Sequence, residues 1–144
     1  VPEATHLTSA VKAGAAYAGI MFAIGFVPGA ARELLLAPSI GALTATLVEL
    51  PVMLALSWLV CAALVRRHAV AATWPTRVAM GAAALLLLLA AETVLGVVGF
   101  GRLLMEQRAA YAEPAAQLGL AAQLAFAAFP LIQLRNSGHE LCAR

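Results

Sequence analysis

The chain has 144 residues, 63% hydrophobic and only 11% charged, with a mean hydropathy of +0.93 and a net charge of +2. Soluble domains are about 25% charged, and a soluble fold of this length has too little interior to hide so much apolar surface. Lys12 is the one lysine and no basic tract occurs, so nucleic acid is not an expected partner.

A membrane helix needs about 20 mostly apolar residues. Four segments qualify, over residues 13–36, 41–64, 78–100 and 115–134. The expected fold is therefore all-α: a polytopic membrane protein, a single bundle of four transmembrane helices. The first segment ends near Pro38-Ser39 and Gly41, a turn signal. It also reads, less well, as a signal peptide cut at Gly29-Ala30-Ala31, but its basic leader is weak. The second and third segments are almost wholly apolar. Residues 66–77 link them, with Thr76 as the expected cap of the third helix. In the third connection, RLLMEQRAAYA mixes apolar and charged residues at helical spacing and reads as a short interfacial helix. The fourth segment carries Gln117, Gln123 and Gln133, and the final RNSGHELCAR reads as a frayed polar tail.

Basic residues near the segment ends set orientation. Lys12, Arg66, Arg67, Arg77, Arg135 and Arg144 would share one side; Arg32, Arg102 and Arg108 the other. Six against three places both termini in the cytoplasm. Trp58 and Trp74 would line the cytoplasmic interface, Phe100 and Tyr111 the outer one. Heavy use of alanine and arginine points to a bacterial inner membrane.

Three charges lie inside the apolar segments: Arg32, Glu49 and Glu92. Each costs roughly 2.5–3.5 kcal/mol on insertion scales, so such groups face a bundle interior and find partners there. Glu49 and Glu92 each fall about eight residues, roughly 12 Å, from the outer end of their helices. Gln123 falls at a similar depth, and Arg32 can reach inward along its stem. One polar layer, with a residue from each helix, is expected. As a site, Arg32 would neutralise one carboxylate. The other would exchange a proton, because burial and like charge disfavour the ionised form. Pro51 near Glu49 and Pro28 near Arg32 free backbone carbonyls beside the charges, as in ion paths. As structure, the same Arg–Glu–Gln network fixes helix register and needs no ligand.

Other features carry less. Gly25-x-x-x-Gly29 permits close helix approach, within the chain or in a homo-oligomer. Met21, Met53, Met80 and Met105 read as core filler, and Tyr17 as a packing residue. Cys61 and Cys142 have no metal spacing and read as free thiols. The histidines His6, His68 and His139 lie outside the segments, which leaves no axial haem pair. No cofactor or metal is expected, and no catalytic constellation points to an enzyme. The halves share a faint pattern, Gly25-Phe26 then Arg32, and Gly99-Phe100 then Arg102; chance similarity accounts for it better than duplication.

The runs GFVPGAAREL, VELPVML and AAE resemble a group of uncharacterised small bacterial inner-membrane proteins with four helices. The resemblance covers about two thirds of the chain. It implies a fold and a compartment, and no activity. Small multidrug transporters differ, since their essential glutamate lies within the first helix. The four-helix glutathione-linked enzymes differ too, since they need arginine and asparagine inside the second. The partners expected are the lipid bilayer and other helices, in a homo-oligomer or a larger membrane complex. The function expected is that of an accessory or assembly subunit, or else a translocator of ions, protons or solutes.

Overall fold

The computed structural model describes residues 2–99, 101 and 103–142, with side chains for 4–99, 101, 103–106 and 108–135. The described chain is all-helical, without a strand. Helix α1 spans Pro2–Ala31, a π turn Arg32–Leu36, and α2 Ala37–Ile40. Then follow α3 (Ala42–Arg67), α4 (Trp74–Val94), a second π turn (Leu95–Gly99), α5 (Leu104–Ala110) and α6 (Pro114–Cys142). Four stretches are long and apolar enough to cross a membrane: Ala4–Ile40, Ala42–Arg67, Trp74–Gly99 and Pro114–Arg135.

The boundaries move in four places. Pro38-Ser39 is helical rather than a turn. The π turn, closed by Ala37 N–H to Arg32 O, lets a new helix start with proline in its first turn, where no N–H is required. The turn itself is Gly41 alone, at φ 84°, a conformation glycine adopts without strain. Helix α4 starts at Trp74, so Thr76 is not its cap. Its hydroxyl instead lies 2.7 Å from Ala71 O and 2.9 Å from Thr73 O, tying the connection to the first turn. The expected frayed tail is helix as far as Cys142. The short helix in the third connection is present as α5, while Phe100 and Arg102 lie outside the described residues.

Helix α1 packs on α3 and α4, and α6 packs on the same two, so the four long helices form a ring. One end holds the start of α1, the end of α3, the start of α4 and the end of α6; we term it the terminal end. The other, the hairpin end, holds Gly41, both π turns and α5.

Nearly all the tight packing lies in the terminal half. Tyr17 and Met80 are fully buried there, with Cys61 and Pro130. Two glycines bring α4 against both neighbours. A Cβ on Gly14 would stand 2.5 Å from Met80 O, and one on Gly81 would collide with Ala127 O. Such approaches substitute for hydrophobic driving force, which is weak between helices in lipid. Pro130 has no N–H, so the carbonyl of Phe126 loses its helical donor. The Tyr17 hydroxyl, on α1 across the ring, lies 3.1 Å from Ser57 O and 3.4 Å from Phe126 O and shares its one proton between them. The Tyr17 and Phe126 rings stack at 4.0 Å. Tyr17 is thus the centre of the bundle.

One smaller expectation changes, and two further side chains find specific partners. Met105 is 82% exposed, on α5 rather than in the core. Trp58 sets its ring edge-on against Phe129, covered by α6. Arg77 does not reach outward: it folds back under the 68–73 connection and donates to Ala71 O and Val70 O, with the residue 5% exposed.

Candidate functional site

Each long helix keeps one face toward the ring centre. On α3 that face runs through Ala45, Thr46, Ser57, Cys61 and Leu64; on α4 through Arg77, Met80, Gly81, Ala84 and Leu88, continued by Gly96 in the second π turn. Glu49 lies four residues after Ala45, and Glu92 lies four after Leu88 and four before Gly96. Both therefore fall on interior faces. Gln123 precedes Phe126 and Pro130 on the inner face of α6 in the same manner. Arg32 opens the π turn at the end of α1. All four are partly exposed rather than sealed; the Arg32 and Glu49 side chains are 28% and 19% exposed.

The structure brings these residues together as two pairs. Arg32 Nε lies 2.8 Å from Glu49 Oε2, and Nη1 donates to Thr46 Oγ1 at 3.3 Å. Glu33, exposed, lies 4.0 Å from Nη1. Separately, Gln123 Nε2 contacts both oxygens of Glu92, at 2.8 and 2.7 Å. Among the described residues no hydrogen bond or ion pair joins the first pair to the second. Arg32 acts on Glu92 only through its field.

The pairing follows from how side chains lean. In a helix each Cβ tilts toward the N-terminus. Helices α1 and α4 run toward the hairpin end, α3 and α6 away from it. Arg32 and Glu92 therefore lean toward the terminal end, while Glu49 and Gln123 lean up to meet them. Contacts form inside each hairpin.

Gly14 faces Met80 and Ala84, so Glu92 is level with about residue 24 of α1, roughly 12 Å short of the Arg32 backbone. The Arg32 side chain reaches back from there to Glu49. The hairpins are staggered. The first reaches out to Ile40 and Gly41; the second gives way to its connection after Gly99.

Sequence reasoning missed Thr46, although it stands three residues before Glu49 on the same face. It also missed Arg77, whose Nη1 is buried without a hydrogen-bond partner. The glycine pair Gly25 and Gly29 divides: Gly25 meets the Met53 methyl at 3.1 Å, and Gly29 faces open space. Cys61 is a buried free thiol; the Cys142 side chain lies outside those described. No described group of three His, Cys, Asp or Glu side chains is placed to hold a metal.

On the outer surface, α1 and α4 leave two adjoining grooves of about 380 and 230 Å³. They meet at Phe22 and Ala91. Ala15, Ala18 and Gly19 floor one; Val94, Leu95 and Val98 wall the other. Nothing lies within 4 Å of where a Gly19 Cβ would stand. The chain matches no family model, no curated protein and no solved structure, so these features are read from its own geometry.

Proposed function

We propose that this chain is a multi-pass protein of a bacterial inner membrane, both termini cytoplasmic, acting without catalysis as an accessory or assembly subunit through helix association. The observation that carries this reading is the α1–α4 groove. It is lined by small and apolar side chains, it runs along two helices apolar enough to cross a membrane, and Gly19 on its floor is uncovered. In lipid, helices associate where small residues let backbones approach and packing is close, and this groove offers that surface. The polar residues, by contrast, are already paired within the chain. Affinity purification of the full chain in mild detergent tests the reading. A stoichiometric larger complex, lost on Gly19→Leu, is the expected result. Recovery of the monomer or homodimer alone would contradict it.

The polar interior of the hairpin half favours a second reading, a small translocator of ions, protons or solutes. Flux in reconstituted liposomes that Glu49→Gln or Glu92→Gln abolishes would favour it over the first.

A further inference from the structure

Among the described side chains of the long helices and the first π turn, the hairpin half holds one cation and three carboxylates: Arg32 contributes +1 and Glu33, Glu49 and Glu92 contribute −3, a sum of −2 when all are ionised. Arg32 commits its near contacts to Glu49, Thr46 and Glu33. Glu92 has only the Gln123 amide, which is neutral. An amide donor orients a carboxylate and does not cancel its charge. Glu92 also stands on the inner face of a segment apolar enough to cross a membrane, where an uncompensated charge costs several kcal/mol. Such a carboxylate holds a cation.

The surroundings restrict which cation. A divalent ion needs several charged or imidazole ligands, and no described group of three is in place. The charge of Arg32, at the end of α1, reaches Glu92 only through its field, and α6 contributes the uncharged Gln123. The group shown on Glu92 is an amide N–H donor and no oxygen ligand, which suits the carboxylate to a proton rather than a metal ion.

We propose that Glu92 is a reversible proton site. Gln123 is its positioning residue. Arg32–Glu49 is a standing ion pair that does not exchange. The site stands whether or not the chain assembles with others.

The test uses the purified full chain in nanodiscs of neutral lipid and a hydrophobic carbodiimide, which adds to protonated carboxyls. Modified peptides are quantified by mass spectrometry over mildly acidic to mildly alkaline pH, with and without sodium chloride, against choline chloride. Modification is expected at Glu92 and not at Glu49, falling about ten-fold per pH unit on the alkaline limb. Labelling indifferent to sodium is the expected result; suppression by sodium chloride and not by choline chloride would overturn the proton-only assignment. Gln123→Leu should displace the pH profile while leaving Glu92 labelled, which a purely structural Gln123 would not do. Equal labelling of Glu49 and Glu92 overturns the proposal. If neither is labelled, the infrared carbonyl stretch of a protonated carboxyl decides. Its absence at acid pH, or its survival in Glu92→Gln, overturns the proposal as well.

Discussion

The two halves of this bundle are built from similar residues and differ in what fills the centre. In the terminal half, Tyr17, Met80, Cys61, Pro130 and Phe126 close the ring, and Gly14 and Gly81 draw α4 onto its neighbours. In the hairpin half the inner faces hold Arg32, Glu49, Glu92 and Gln123 beside small buried residues, and none of these four is sealed. Around them Val27, Leu34, Leu35 and Val98 are each at least 69% exposed. The difference teaches how one small fold is both stable and available. Close backbone contact at one end holds the helices. The other end can then keep polar groups that a fully packed core would exclude.

The comparison breaks most sharply at the glycines. Gly81→Val forces a branched side chain into the Ala127 carbonyl and should cost about 3 kcal/mol or more. Gly29→Val meets open space and should leave the detergent melting temperature nearly unchanged. Similar losses for both would erase the distinction between the halves.

Next in size is the ion pair. Arg32→Gln strands Glu49 and should cost about 2 kcal/mol, less than a fully buried pair because both side chains are partly exposed. Adding Glu49→Gln should recover most of that loss, and a double-mutant cycle measures the coupling. Strict additivity would mean that the pair is not formed.

Tyr17→Phe keeps the stack on Phe126 and removes the hydroxyl shared by two carbonyls. It should cost about 1–2 kcal/mol by thermal unfolding, since the Phe126 carbonyl has no other helical donor. The smallest effect belongs to Glu92→Gln. An amide can still pair with Gln123 and the uncompensated charge is gone, so stability should change by less than about 1 kcal/mol, or rise. A large loss would make Glu92 a structural residue.

Four apolar segments were legible in the sequence because lipid demands length and apolarity, and both can be counted. The polar residues were legible as well, because Arg32, Glu49 and Glu92 interrupt otherwise apolar runs. Their pairing was not. It depends on the stagger between hairpins, set by the helical extension through Pro38 to Ile40 and by the early end of the second hairpin at Gly99. The π turns have no local sequence signature of their own. Tyr17 gained its role from a distant proline, since only the ring of helices brings Pro130's freed carbonyl within its reach. Arg77 was legible only as a basic residue that sets orientation, because its position near a helix start says nothing of the carbonyls folded over it.

The most direct test of the contrast is hydrogen–deuterium exchange of the full chain in nanodiscs, read peptide by peptide. The account predicts strong protection around Tyr17, Ser57–Cys61 and Met80–Ala84, with markedly faster exchange from Arg32 to Glu49 and from Glu92 to Gly99. Uniform protection along all four long helices would contradict it.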